Sequence, residues 1–314
     1  MRLPPSRALE LVRSAIFAPG REEDVEIPRT VHGFHEVLLG IMGGYSDGAL
    51  VVKVFSAAPP TEGLSAPRIQ GAVLAFDSGT GALRAVIDGP TVTGLRTAAL
   101  AGVATDLLAR RDATEFLMVG AGDQAPYQID AVMLVRSIKR LKLWSRHRSR
   151  AEALGKAVQE RYPSVEVRVV QEVSAEARSA DIITLATASR TPLLHRSDVG
   201  PHCHVNAIGA FEPDSRELAS DLVAEALIFV DTLEGCLREA GDLLIPIREG
   251  MLGVDEIRSL REANQGLCDR LTVFKSVGSG VFDAACVAWL CNSGDEPTMA
   301  RDGGVASCGR VGAE

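Results

Sequence analysis

Residues 115–125 read Glu-Phe-Leu-Met-Val-Gly-Ala-Gly-Asp-Gln-Ala, an apolar run that ends in a glycine-rich turn. The pattern Gly120-x-Gly122-x-x-Ala125 predicts a strand, a tight turn and the start of a helix. Gly120 would permit the turn, Gly122 would let the backbone approach a pyrophosphate, and Ala125 would let the helix pack on the strand. A second apolar run, Arg140–Trp144, follows about one helix later. This context favours a dinucleotide site over the alternative, a glycine turn that serves only packing.

Strand-like and helix-like segments alternate from residue 115 onward, which predicts a parallel sheet with helices on both faces. The link from 187 to 203 is shorter and is expected to be a loop or a single turn. The sequence therefore predicts an α/β fold with a Rossmann-type, doubly wound parallel sheet. The expected strands of this sheet are 115–119, 140–145, 165–170, 181–186, 204–208 and 227–231.

The first region of the chain has a different rhythm and predicts an α+β unit with an antiparallel sheet. Residues 77–81, Asp-Ser-Gly-Thr-Gly, have the composition of a hairpin turn between two apolar runs. Residues 293–314 are rich in Gly, Asp and Ser and are expected to be a loose tail. Strands are expected at 50–55, 72–76 and 82–87, and helices at 1–20, 94–110 and 281–290.

Composition excludes several classes of protein. The chain has 314 residues, enough for two modest domains, and its net charge of −8 without a Lys/Arg block argues against nucleic acid as a partner. The chain has no run of 18 apolar residues, so we expect no membrane span. The N-terminus lacks an apolar signal core. The six cysteines form no Cys-x-x-Cys pair, so we expect no disulfide framework and no zinc site, which fits a reducing cytoplasm.

The residues after the second strand of a dinucleotide fold usually select the cofactor. An acid there would bind the ribose 2′-hydroxyl of NAD, but this chain has Ser145, Arg146, His147 and Arg148. A hydroxyl and two arginines favour the 2′-phosphate of NADP(H), with NAD(H) the other possibility. The alternative is that both arginines are solvated residues at a helix start.

Three cations of the chain stand in unusual places. Lys53 lies inside an apolar strand, where a charge is costly unless it is paired or functional. Arg96 is expected at a helix start, where a cation opposes the helix dipole and a bound anion would explain it. With Arg29, these cations would form an anchor for a substrate carboxylate. Separate surface ion pairs are the alternative.

The histidines carry weaker signals. His202 and His204 flank Cys203, but the spacing is poor for a closed metal site, so we expect no metal there. His35 or Glu36 could donate a proton near the substrate, although solvated positions are favoured for both.

Taken together, these segments resemble the ornithine cyclodeaminase/mu-crystallin family. The match covers residues 28 to 283 in the order of the family, and the combination of Arg-Thr-Ala-Ala with Gly-Ala-Gly-x-Gln-Ala is specific. The matching stretches are Pro28-Arg29, Val52-Lys53-Val54, Leu95-Arg96-Thr97-Ala-Ala, Val119-Gly-Ala-Gly-Asp-Gln-Ala125, Ala186-Thr187-Ala-Ser189, Asn206-Ala-Ile-Gly209, Arg216-Glu217-Leu218 and Val273-Phe-Lys275-Ser276, with Gly278 and Asp283.

The resemblance implies a homodimer and two domains. Residues 1–112 with 277–314 would bind substrate and pair the subunits, and residues 113–276 would bind NAD(P). Arg29, Lys53 and Arg96 would hold the substrate carboxylate, and Lys53 and Arg96 would be the catalytic pair during hydride transfer between nicotinamide C4 and the carbon that bears nitrogen. The residues expected to hold the cofactor are Thr97, Gly120, Gly122, Asp123, Gln124, Ala125, Ser145, Arg146, Arg148, Thr187, Ala188, Ser189, Ile208, Gly209 and Lys275.

Two departures from the family pattern bear on the substrate. Gly40 stands where cyclodeaminases carry an acid, and Phe211 stands where they carry the aspartate that holds a distal amine. The segment around Phe211 looks more like the Δ1-pyrroline-2-carboxylate reductase branch. The expected function is NAD(P)H-dependent reduction of a small cyclic imino acid, with Phe211 near the substrate. The alternatives are an ornithine cyclodeaminase, which is an NAD-dependent lyase, and a non-catalytic NADP-dependent binding protein like mu-crystallin.

Overall fold

The computed structural model describes residues 3–17, 24–58 and 69–292. In this part of the chain, the first region forms a helix and then an antiparallel sheet in which each strand pairs with the next along the chain. The predicted α+β unit is therefore present, and the expected 77–81 turn joins its last two strands. The elements are α1 (Pro5–Phe17), β1 (Val25–Phe34), β2 (Val37–Ser46), β3 (Ala49–Ala57), β4 (Ile69–Asp77) and β5 (Leu83–Asp88).

Strands β1 and β2 were not expected from the sequence. Their Gly33, Gly40, Gly43 and Gly44 weaken the alternating apolar pattern that indicates a strand. Tertiary packing explains the glycine at position 44, because the backbone of Gly280 lies directly against it and leaves no room for a side chain. The hairpin turn places His35 in the left-handed region with φ 55°.

The two faces of the five-stranded sheet differ sharply. The inner face carries Val51, Lys53 and Val73, and two helices of the chain cover it. The outer face is apolar but uncovered: Val25, Ile41 and Val86 are 53%, 40% and 51% exposed. An exposed apolar sheet face of this size usually marks an interaction surface.

One of the covering helices, α2 (Gly89–Leu108), begins five residues earlier than the sequence predicted. Asp88 caps it by accepting a hydrogen bond from the amide of Thr91 at 2.8 Å, and Pro90 lies in its first turn. The expectation that Arg96 marks the helix start is therefore wrong, because Arg96 lies two turns inside. Helix-dipole repulsion does not apply there, and another partner must compensate its charge.

The second sheet has eight strands, all parallel, in the order β12-β11-β13-β10-β9-β6-β7-β8. This architecture confirms the predicted α/β class with a doubly wound sheet. The elements are β6 (Glu115–Val119), α3 (Ala125–Val135), β7 (Arg140–Trp144), α4 (Arg148–Arg161), β8 (Glu166–Val169), α5 (Val173–Ala177), β9 (Ile182–Leu185), β10 (His204–Ala207), α6 (Ser220–Glu225), β11 (Leu227–Val230), α7 (Leu233–Glu239), α8 (Gly241–Arg248), β12 (Ile257–Ser259), β13 (Thr272–Lys275) and α9 (Gly280–Asn292).

Six of these eight strands were predicted. The two that were missed, β12 and β13, are three and four residues long. The link from 187 to 203 contains one 3₁₀ turn at Arg196–Asp198, as expected. The expected tail at 293–314 lies outside the described residues, and no helix among the described residues is long and apolar enough to cross a membrane.

Helix α2 joins the two sheets. It packs on β4 and β5 of the first sheet and on β10 and β13 of the second. Asn206 of β10 donates a hydrogen bond to Thr105 Oγ1 of α2 at 2.9 Å, and both residues are fully buried. A buried hydrogen bond of this kind fixes the helix on the sheet, because either group would lose its partner if the helix moved.

Candidate functional site

The glycine turn lies at the carboxyl end of β6, between β7 and β9. Gly120 has φ 111°, and a Cβ there would lie 2.5 Å from the carbonyl oxygen of Ala186, so only glycine fits. No atom lies within 4 Å of the position where Gly122 would carry a Cβ. Ala125 is fully buried at the start of α3. The turn therefore presents open backbone beside a helix N-terminus, which fits a pyrophosphate.

Two further turns meet at the ends of β9 and β10, and one buried carboxylate holds them. Glu217 Oε1 accepts hydrogen bonds from the amide and the hydroxyl of Thr187, each at 2.7 Å. Its Oε2 accepts from the amides of Gly209 and Ala210 at 2.8 and 3.3 Å. The carboxylate thereby fixes both strand-end turns that face the predicted cofactor crevice.

An ion pair lies beneath these turns. Asp242 Oδ2 lies 2.7 Å from Lys275 Nζ, and Asp242 Oδ1 accepts the amides of Glu217 and Leu218 at 2.7 and 2.9 Å. Lys275 also donates to the carbonyl of Ala210. Burial would lower the pKa of Lys275, but Asp242 and Glu217 outweigh it and raise that pKa. Burial and Asp242 raise the pKa of Glu217.

Lys275 was expected to touch the cofactor. Its side chain is 0% exposed and surrounded by protein groups, which suits a supporting role beneath the turns. Direct contact with the cofactor stays a prediction.

Two of the three singled-out cations share one carboxylate. Asp283 of α9 is fully buried; its Oδ1 lies 3.2 Å from Arg96 Nε and its Oδ2 3.8 Å from Lys53 Nζ. Lys53 also donates to the hydroxyl of Thr93. The side chains of Arg96 and Lys53 are 5% and 4% exposed. They do not form separate surface ion pairs.

Arg29 has partners from the other half of the chain. Its Nη1 lies 2.6 Å from Glu239 Oε2, and its Nη2 donates to the carbonyl of Val277 at 2.8 Å. Its guanidinium carbon lies 5.8 Å from the ring centroid of Phe55 and 6.0 Å from that of Phe211, within cation–π range. Burial lowers the pKa of Arg29, while Glu239 opposes that shift.

The cations affect one another's charge. Burial lowers the pKa of Lys53 to about 8; Asp283 opposes the shift, and Arg96 and Arg29 add to it. Lys53 and Arg96 share the one carboxylate of Asp283, so this pair carries one positive charge in excess while Lys53 is protonated. A carboxylate group of a ligand beside the pair would neutralise that charge and favour the protonated form of Lys53.

The comparison with known proteins agrees with this geometry. The sequence profile of the ornithine cyclodeaminase/mu-crystallin family matches residues 15–293. The chain belongs to that family.

Three relatives show how similar this chain is to known proteins in sequence and fold. The ketimine reductase mu-crystallin of Mus musculus is 35% identical over 265 residues, which cover 82% of this chain and 81% of the relative. The structure of Thermococcus litoralis Δ1-pyrroline-2-carboxylate reductase in complex with NADH and L-proline has a TM-score of 0.86 at 30% identity, covering 92% and 93% of the two chains. An archaeal alanine dehydrogenase dimer with bound NAD has a TM-score of 0.84 at 25% identity, covering 92% and 91%.

The residues predicted to select NAD or NADP lie at the exposed start of α4. Ser145 follows β7, and Arg146 and Arg148 are exposed at the N-terminus of α4. Arg148 Nε lies 2.8 Å from Glu152 Oε1, and both side chains are about half exposed, at 58% and 49%. An exposed pair four residues apart is weak. Arg148 can therefore leave Glu152 for a phosphate, and the structure is equally compatible with solvated arginines.

Among the described residues, no three His, Cys, Asp or Glu side chains are grouped so that they could hold a metal ion. His204 is buried between Thr272 Oγ1 and Asn206 Oδ1, and burial lowers its pKa to about 3, so it is neutral. His202 Nδ1 lies 2.6 Å from the carbonyl oxygen of Asp269. His35 and Glu36 are exposed at the tip of the β1–β2 hairpin, which agrees with the solvated positions favoured for them.

Sequence reasoning gave no role to four residues that organise this site. Glu217 and Asp283 were noted only as matches to the family, and Glu239 and Asp242 were not noted. A usable signal existed for Asp283, because a carboxylate inside the apolar run 281–290 is costly unless it is paired. No local pattern marks Glu239 as the partner of Arg29, since 210 residues separate them.

Proposed function

We propose that this protein reduces a small cyclic imino acid, such as Δ1-pyrroline-2-carboxylate, to the amino acid with NADH or NADPH. The observation that carries the proposal is the buried pair of cations, Lys53 and Arg96, on the single carboxylate of Asp283, with Arg29 close enough to lower the pKa of Lys53. The named activities of the mouse and Thermococcus litoralis relatives support the same reaction.

The proposed roles follow from the geometry. Arg29, Lys53 and Arg96 bind the substrate carboxylate and orient the imine carbon. The bound nicotinamide cofactor supplies the hydride, and the carbon–nitrogen double bond becomes a single bond. Orienting the two reactants in this way can lower the activation free energy by about 7 kcal/mol or more when the alignment is optimal. Lys53 serves as an anchor rather than an acid, because a second cation opposes the protonated imine.

The proposed cofactor site uses the three turns at the ends of β6, β9 and β10. The open backbone at Gly122 and the N-terminus of α3 would bind the pyrophosphate. The turns at Thr187–Ser189 and Ile208–Gly209, held by Glu217, would line the crevice further along. Asp123, Gln124 and Thr97 complete the proposed set.

The direct test is reduction of synthetic Δ1-pyrroline-2-carboxylate by the purified full chain. The reaction is measured as loss of the absorbance of NADH or NADPH. We expect saturable turnover and formation of proline. Absence of turnover with five- and six-membered cyclic imines, under conditions where cofactor binding is measurable, would contradict the proposal.

Ornithine provides the sharpest contrast. A distal ammonium adds a positive charge beside Lys53 and Arg96, which already share one carboxylate, and Phe211 cannot compensate it. We expect no robust proline formation from ornithine and catalytic NAD. The Phe211→Asp variant should bind ornithine better while imine reduction falls, since an unpaired carboxylate would lie beside the ring. Ready formation of proline and ammonia from ornithine by the wild type would restore the cyclodeaminase alternative.

We further propose that NADP(H) is preferred over NAD(H). Replacement of both Arg146 and Arg148 by alanine should weaken NADPH binding by about tenfold or more and leave NADH binding nearly unchanged, because only the 2′-phosphate loses its partners. Calorimetric titration of both cofactors measures this. Tighter binding of NADH than NADPH by the wild type would refute the preference; the NADH and NAD bound by the solved relatives make this a real test.

We propose a homodimer that pairs through the outer face of the five-stranded sheet. The exposed apolar residues of that face support it, as does the dimeric alanine dehydrogenase relative. Light scattering should give twice the chain mass of 33.3 kDa. Ile41→Lys should give the single-chain mass, while Val254→Lys, with a similar exposure of 46% on another surface, should not. A wild-type protein of single-chain mass would contradict the dimer.

The domain roles and the location in the cell also remain proposals. Residues 1–112 with 277–314 would bind substrate and pair subunits, and residues 113–276 would bind the cofactor. The five cysteines among the described residues are all free thiols, which supports a reducing cytoplasm.

A further inference from the structure

Phe55 occupies the space in front of Gly40. The two residues form a cross-strand pair between β3 and β2. A Cβ on Gly40 would overlap the Phe55 ring, with three ring carbons no farther than 2.7 Å away. The ring therefore occupies the volume that any side chain at position 40 would need, including an acid.

The same ring lies beside the substrate anchor. Phe55 follows Lys53 by two residues on the strand, so both side chains project from the inner face about 7 Å apart. Its centroid lies 5.8 Å from the guanidinium carbon of Arg29, and Phe211 lies 6.0 Å from that carbon. The two rings reach Arg29 from different sheets, because Phe55 is on β3 and Phe211 follows β10.

We propose that Phe55 is a specificity-determining residue, which with Phe211 forms an aromatic wall that positions Arg29 and limits the substrate to a compact ring without a distal charged group. The inference rests on the proposed function and names the substrate class of the same site. The wall gives a distal ammonium no carboxylate partner, and its volume favours a five-membered ring over a six-membered one.

The first test is a double-mutant cycle at positions 40 and 55. Gly40→Ala should lower kcat/KM for Δ1-pyrroline-2-carboxylate by about tenfold or more, because its methyl group must displace the ring. In the Phe55→Ala background the same substitution should cost less than about twofold, because the ring is absent. Equal losses in both backgrounds, or no loss in either, would overturn the proposal.

The second test is the substrate size. Phe55→Ala should shift the ratio of kcat/KM for the six-membered over the five-membered cyclic imine upward by about tenfold. Val51→Ala is the matched control: it opens space on the same face, two residues before Lys53 rather than two after, and should keep the ratio within about twofold. If Phe55→Ala is poorly folded by thermal melting, Phe55→Leu takes its place. An unchanged ratio in a folded variant rejects the role of Phe55.

Failure of the proposed reaction can be separated from failure of this inference. If the wild type reduces no cyclic imine, the calorimetric affinities of pyrrole-2-carboxylate and pyridine-2-carboxylate replace the kinetic ratio. Phe55→Ala should still improve binding of the larger ring relative to the smaller by about tenfold. An unchanged affinity ratio overturns the wall, and a changed ratio supports it independently of turnover.

Discussion

Replacement of Arg96 by alanine is expected to lower kcat/KM for the cyclic imine more than 100-fold, which corresponds to a loss of about 3 kcal/mol in transition-state stabilisation. Arg96 lies on α2 with a side chain only 5% exposed, and its Nε lies 3.2 Å from Asp283. A charge-assisted hydrogen bond to a carboxylate is strong in a site that excludes water. Alanine also leaves Asp283 with one cation fewer, so the charge that attracts the substrate is lost.

The measurement is steady-state kinetics with a separate cofactor titration. Cofactor affinity should change little, since the proposed role of Arg96 concerns only the substrate. Arg84→Ala is a suitable control, because Arg84 lies on the same half of the chain in an exposed pair with Asp77. A loss below threefold for Arg96→Ala would remove this residue from the proposed anchor.

The largest effect on stability is expected at the buried pair of Asp242 and Lys275. Both side chains are 0% exposed, so Asp242→Ala leaves an ammonium group buried without its counter-charge. It also removes the acceptor of two backbone amides, those of Glu217 and Leu218. Breaking a buried pair from one side costs about 3–5 kcal/mol, and we expect the free energy of unfolding to fall by that amount.

Urea unfolding of the wild type and the variant measures this loss. Asp214→Ala is the control, because the Asp214 side chain is 84% exposed beside Arg248 and such pairs contribute about 0.5 kcal/mol or less. Joint replacement of Asp242 by Leu and Lys275 by Met should cost less than Asp242→Ala alone, since the Lys275 ammonium group is no longer buried without its paired carboxylate. A single variant as stable as the wild type would show that the pair does not support the turns.

Much of the cofactor half could be predicted because its signals are local. The strand, turn and helix at 115–135 are contiguous in the chain, and Gly120 lies where the predicted tight turn requires a glycine. The same holds for the alternation of strands and helices that implies the parallel sheet. The three-residue β12 lacks such a local signal, and the places of β12 and β13 in the sheet depend on pairing with distant strands.

The candidate site was less predictable because its partners are distant in sequence. Arg96 and Asp283 are separated by 187 residues, and Arg29 and Glu239 by 210. The residue types indicated that the cations needed compensation, but not which acids provide it. The mistaken helix start shows the same limit: Asp88 and Pro90 are good start signals, but the apolar pattern that guided the prediction begins later.

The position of Arg96 on α2 has a consequence for how this protein can change. Helix α2 is packed on both sheets, so it fixes the distance between the proposed carboxylate anchor and the proposed cofactor crevice. Phe211, in contrast, lies on a loop after β10. Loop substitutions can therefore alter which molecule is accepted while the reacting carbon stays at the same place. Such a division of labour makes the scaffold evolvable, and it recommends loop libraries over redesign of the helix for an engineer who seeks new amine products.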